Sequence, residues 1–163
     1  MERFTIQKND FLSHDCTGYF HLYYVGYGRP GNPDYLNILK NIFVSTHPDT
    51  LQSASRQAAA LMIQDIPQVM DAERLDEAVL MAVPRSKSGM CNWQLGFKAA
   101  VQTAVKALQD NNLPVIDGTD FIFRHTSTKM THLRKPVSNF ENTGSEPYPG
   151  ITKDTCDIQY EYI

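Results

Sequence analysis

Ala78-Val79-Leu80-Met81-Ala82-Val83, followed by Pro84-Arg85-Ser86-Lys87-Ser88-Gly89 and then a helical stretch reaching Asp110, is the part of the chain whose reading decides the fold. The apolar run predicts a central parallel strand, apolar on both faces and covered by helices on each side. A strand that feeds a turn of small and basic residues at a helix start leaves backbone N–H groups unpaired. Those donors and the helix dipole favour an anion. Arg85 and Lys87 add charge there, and Ser86 and Ser88 add hydroxyl donors. With one glycine, the turn matches neither the Walker pattern nor the dinucleotide fingerprint. A solvated βα loop is the plain alternative reading of the same residues.

Downstream, Phe97, Val101, Ala104, Val105 and Leu108 recur along one face of a helix expected from about Asn92 to Asp110, with Asn111-Asn112 as its stop. Pro114-Val115-Ile116 and Phe121-Ile122-Phe123 are short strand candidates, so the order is helix, strand, helix, strand, an α/β arrangement. Upstream, Pro48-Asp49-Thr50 opens a longer helix whose stripe is Leu51, Ala54, Ala58, Leu61 and Met62, and Pro67 is expected to interrupt it. Tyr35 to Phe43 reads as a further helix. Gly18 to Tyr27, dense in aromatic and β-branched residues, reads as a strand beside the core that forms part of a hood. Residues 1–75 would be that hood and helical part and residues 76–163 the core of a single domain.

The chain has 163 residues, enough to bury a sizeable core without disulfides or metal. Its net charge of −3 argues against nonspecific nucleic-acid binding by the whole surface. Cys16, Cys91 and Cys156 are too far apart for a zinc knuckle or redox motif, which fits reduced thiols in a cytosol. With no leader-like apolar run at the N-terminus and no segment of membrane-spanning length, the protein is expected to be cytoplasmic.

Basic and hydroxyl side chains gather again in Arg124-His125-Thr126-Ser127-Thr128-Lys129-Met130-Thr131-His132-Leu133-Arg134-Lys135. A phosphate site, a solvated strand end and a short nucleic-acid-binding arm all suit that composition. The five histidines form no metal-ligand spacing, so no metal site is expected. Asp117 and Asp120 bracket a Gly-Thr turn, which suits turn formation more than acid–base work. Ser86 and Ser88 lack the Gly-x-Ser-x-Gly context of a nucleophile elbow. Trp93 and Phe97 are read as core or interface, and Lys135 to Asp154, rich in Pro, Gly and Asn, as a long flap or docking loop.

Val83-Pro84-Arg85-Ser86-Lys87 before a helix, then Phe123-Arg124, Thr128, His132-Leu133 and Arg134, resembles the type I phosphoribosyltransferases, especially the competence-associated and amidophosphoribosyltransferase-like branch. The resemblance runs over about Asp76 to Ile163. It implies a phosphoribosyltransferase-like parallel sheet core with flanking helices. Arg85, Ser86, Lys87 and Ser88 would bind the pyrophosphate of phosphoribosyl pyrophosphate or a nucleotide, and Arg124, Thr128, Lys129, His132 and Arg134 would line or cover the site. The family implies Mg²⁺ as cofactor, although no ligands for it are identified in this chain, and no catalytic residue is assigned. The family's acidic pair followed by a Thr/Gly-rich turn, which cradles the ribose 5-phosphate, is not found. The resemblance therefore implies either the N-terminal portion of a longer enzyme or a member without the usual catalytic half. Proteins of this branch also occur as toxin or effector components of bacterial anti-phage and toxin–antitoxin modules, which would make an antitoxin-like protein a partner. A non-catalytic partner-binding module and a nucleic-acid-binding domain stay open beside the enzyme.

Overall fold

The structure, a computed structural model, describes residues 1–8, 12–23, 25, 30–40, 47–84, 96–127 and 156–158. The chain is mixed α/β, in the order β1 (Glu2–Ile6), β2 (Cys16–Phe20), α1 (Asp34–Lys40), α2 (Pro48–Glu73), β3 (Ala78–Leu80), α3 (Gly96–Asp110), β4 (Val115–Asp117), β5 (Ile122–Arg124) and β6 (Cys156–Ile158). The strands form three two-stranded sheets: β1–β2 antiparallel, β3–β4 parallel and β5–β6 antiparallel.

Helix α2 organises the rest. His47 caps it with Pro48 in the first turn, and Arg74 ends it in the left-handed conformation at φ 55°. Pro67 lies inside this helix, contrary to the expected break. A proline there forgoes one ladder bond. The turns on either side of it pack Ile63 and Ile66, before the proline, and Met70, after it, on one buried cluster, and that tertiary packing outweighs the local penalty.

Among the described residues two apolar clusters are buried. Leu39, Leu51, Ala54, Ala58 and Ala100 join α1 to the first halves of α2 and α3. Met70, Val101, Val105, Leu108 and Val115 join the second half of α2 and the middle and end of α3 to the parallel pair, with Ala78, Leu80 and Ala82 packed on them. First half therefore meets first half, and α2 and α3 run side by side in the same direction. Gly96 makes the close start possible, since a Cβ there would come within 2.9 Å of Leu51. The buried Ser55 hydroxyl lies 2.9 Å from the Leu51 carbonyl and 3.0 Å from the Gly96 carbonyl, and its proton ties α2 to the first turn of α3.

The β3–β4 pairing is parallel as expected, with Ala78 opposite Val115 and Leu80 opposite Asp117. The strand departs from the expected extent. Regular pairing stops at Leu80 rather than Val83, and among the described residues β3 has no strand neighbour besides β4. Nor is it covered on both faces: Ala78, Leu80 and Ala82 meet the helices, whereas Val79, Met81 and Val83 stay exposed, the last at 90%. An apolar run says which residues tolerate burial, not how many faces receive a cover.

The N-terminal aromatic strand is shorter than expected, ending at Phe20, and it pairs with β1, which the sequence reading did not assign. Helix α1 begins at Asp34 and its described part ends at Lys40. The expected loop from Lys135 to Asp154 lies outside the described residues. Among the described residues no helix is long and apolar enough to cross a membrane.

Candidate functional site

In a β-strand, helix, parallel β-strand unit, ligands are received beyond the carboxyl ends of the strands, where the helix begins. Here that edge is formed by Met81–Pro84 after β3, by the start of α3 and by the turn Asp117-Gly118-Thr119-Asp120 after β4.

That turn is held from several sides. The Asp117 carboxylate accepts the Thr119 N–H at 2.9 Å, an Asx turn, so the turn-forming role expected of this aspartate is the observed one. The Gly118 N–H donates to the Leu80 carbonyl at 3.0 Å, which extends the contact with β3 by one residue. A Cβ on Gly118 would stand 2.6 Å from Val79 and 2.7 Å from Met81, so only glycine lets the two chains approach there. Thr119 is buried, and Gln102 of α3 donates to its hydroxyl at 3.1 Å. Lys98, in the first turns of α3, is ion-paired with Asp120. Two α3 side chains thus fix the turn to the helix and leave a small polar rim of lysine, amide, hydroxyl and carboxylate.

Of the residues assigned to the site from sequence, Arg85, Ser86, Lys87 and Ser88, and also Thr128, Lys129, His132 and Arg134, lie outside the described residues. By connectivity residues 85–95 join Pro84 to Gly96, the two sides of the carboxyl edge. Arg124 is described: it ends β5, opposite Cys156, a few residues beyond the turn in which Phe121 N–H donates to the Gly118 carbonyl at 3.0 Å. Next to it, His125 accepts or donates at 2.9 Å with the Thr126 hydroxyl and lies 3.8 Å from Asp157.

The described residues do not fit the Mg²⁺ that the family resemblance implies. Among them no group of three or more His, Cys, Asp or Glu side chains could hold a metal. Asp117 is engaged by a backbone N–H and Asp120 by Lys98. The single adjacent acidic pair in the sequence, Asp76-Glu77, precedes β3 and is exposed at the opposite end of the strand, with no Thr/Gly-rich turn after it.

Sequence reasoning missed a second polar constellation. Asp65 is buried on α2, and His21, just after β2, approaches it with Nδ1 at 2.8 Å from Oδ2. Two turns further along α2, Glu73 accepts the Tyr19 hydroxyl, and this hydrogen bond pushes the Tyr19 pKa up, with desolvation adding to the shift and Arg3 opposing it. The signal for Asp65 is its spacing: it falls seven residues after Ala58, on the buried stripe of α2, where an unpaired carboxylate is costly. Its partner is distant in sequence and carries no local signal.

Compared with known proteins, the chain matches no family model, no curated protein and no solved structure.

Proposed function

We propose that this chain binds a phosphate-bearing ligand, phosphoribosyl pyrophosphate or a nucleotide, at the carboxyl edge of the β3–β4 pair, in the manner of a phosphoribosyltransferase-like core. The observation that carries the reading is the parallel unit itself: β3, α3 and β4 are consecutive, and the segment holding Arg85, Ser86, Lys87 and Ser88 connects the end of the first strand to the helix. Basic residues at such a position combine with helix-start N–H groups to hold an anion. Lys98, Gln102 and Thr119 supply further donors on the same edge. Arg124, Thr128, Lys129, His132 and Arg134 follow β4 in the chain and are the candidates for closing over the phosphates. No catalytic residue is assigned, and turnover requires an acidic ribose-phosphate cradle that residues 1–163 do not provide in the family's form.

The non-catalytic alternative, a module that docks on a protein such as an antitoxin, is favoured by the apolar row Val79, Met81 and Val83, which remains exposed at the same edge. Calorimetric titration with phosphoribosyl pyrophosphate and with inorganic pyrophosphate, each with Mg²⁺ present, separates the two. Saturable binding that falls at least tenfold, about 1.4 kcal/mol, in the Arg85→Ala/Lys87→Ala variant supports the phosphate reading. Heat traces without saturation in the parent protein sink it.

A further inference from the structure

The β1–β2 hairpin is mounted with its apolar side away from the protein. Cross-strand partners share a face, so Arg3 with Tyr19 and Thr5 with Thr17 form one side, and Glu2 with Phe20, Phe4 with Gly18 and Ile6 with Cys16 form the other. The first side is the one fastened to α2, through Tyr19 to Glu73 and, one alternation further, His21 to Asp65. The second side carries Phe4, whose ring lies over Gly18 and 6.0 Å from the Phe20 ring, and Phe20 in turn meets Tyr23 edge-on at 4.6 Å. None of Phe4, Ile6 and Phe20 belongs to either buried cluster. All five residues of β1 are exposed, and among the described residues β2 is its one strand partner.

A hairpin of two strands is marginal in water, and an edge strand offers every second N–H and C=O to another chain. The sequence of this edge matches itself. Paired antiparallel about a two-fold axis through Thr5, β1 sets Thr5 opposite Thr5 of a second copy. In that register Phe4 stands opposite Ile6 and Glu2 opposite Lys8. The apolar face then has two aromatic–aliphatic pairs at its centre and a Glu–Lys pair at each end. A shift of two residues either way spoils the match, placing Glu2 opposite Ile6 or Lys8 opposite Phe4. Glu2 already accepts the Tyr23 hydroxyl at 3.2 Å through Oε2, which leaves its other oxygen for a lysine. The Lys8 backbone N–H is turned to Asp15 across the hairpin at 2.7 Å, so the chain keeps its course alongside β2 as far as the residue that would pair with Glu2.

We infer that β1 is a homodimerisation edge, where a second copy of this chain adds its own β1 to make a four-stranded antiparallel sheet in the order β2, β1, β1, β2. This is independent of the phosphate reading. The contact is isologous, so one substitution acts twice.

Sedimentation velocity over a concentration series of the whole chain tests it, with charge reversals as the probe. Glu2→Lys or Lys8→Glu alone sets like charges opposite each other at both ends and should weaken the dimer about tenfold, from the size of exposed ion pairs taken twice. The double reversal Glu2→Lys/Lys8→Glu restores opposite charges and should return the dissociation constant to within about twofold of the parent. Thr5→Cys should give a disulfide-linked dimer under mild oxidation, resolved from the parent's own thiols by comparison with the parent treated in the same way. A parent that is monomeric throughout the series, a dimer indifferent to the single reversals, or a double reversal no better than the singles would each overturn the assignment.

Discussion

The β1–β2 hairpin and the β3–β4 pair are sheets of equal strand number held in opposite ways. The parallel pair turns Ala78, Leu80, Ala82 and Val115 onto α2 and α3, and its attachment is apolar burial. The hairpin turns polar residues inward and hangs on α2 by Tyr19 with Glu73 and His21 with Asp65. Apolar area is favourable in proportion to its extent, about 25 cal/mol per Å², while each exchange of a water hydrogen bond for an internal one nets only about 1 kcal/mol. The parallel pair should therefore open only with the whole core, and the hairpin should open at lower cost.

The largest expected effect lies on the apolar side of this contrast. Leu108 is 2% exposed in the cluster that joins both long helices to β4. Leu108→Ala should cost about 3 kcal/mol of global stability by denaturant titration, and hydrogen exchange should accelerate throughout α2, α3, β3 and β4. Loss confined to one element would mean that the clusters are less continuous than drawn. A smaller and local effect is expected at the hairpin's anchor. Asp65→Ala should cost about 1 kcal/mol, with faster exchange in β1 and β2 and unchanged protection in β3 and β4. If β3 and β4 respond equally, the two sheets open as one unit.

The smallest effect is set by pH. Because the hydrogen bond to Glu73 raises the Tyr19 pKa, the folded protein keeps a proton that the unfolded chain loses near pH 10. Any stability from this contact is complete below the unfolded value, about 10, and is lost as pH rises through the higher folded value. Tyr19→Phe should flatten that part of the stability profile, and one late phenolate should vanish from the ultraviolet titration. An unchanged titration curve would detach Tyr19 from Glu73.

Periodicity made the helices legible. The spacing marks Leu51, Ala54 and Ala58 on α2 and Val101, Ala104, Val105 and Leu108 on α3 as inward positions, and all are buried. The α/β order made a parallel pair legible too, because a strand, a helix and a strand in succession have few other ways to meet. Three features were not legible for three reasons. Pro67 reads as an interruption because local propensity carries no information about the packing of Ile63, Ile66 and Met70 around it. The row Val79, Met81 and Val83 is exposed although the run predicts a helix over it, because a continuous apolar run carries no record of which face is covered. The β1 strand shows only a short alternation, Arg3-Phe4-Thr5-Ile6, and its pairing with β2 depends on residues far along the chain. Of the site residues assigned from sequence, Arg124 alone is described, and the polar rim of Lys98, Gln102 and Thr119 arises from pairings between α3 and the turn after β4 that no linear motif encodes.

Among the described residues, Met62 is the one partly buried side chain that packs against both apolar clusters. Its thioether is flexible and polarizable, suited to filling the seam between two differently shaped groups of neighbours. The same atom is a point of chemical vulnerability. Oxidation to the sulfoxide would place a polar, chiral group at the junction, and damage at this single sulfur would uncouple the α1 end of the interior from the end that supports the parallel strands.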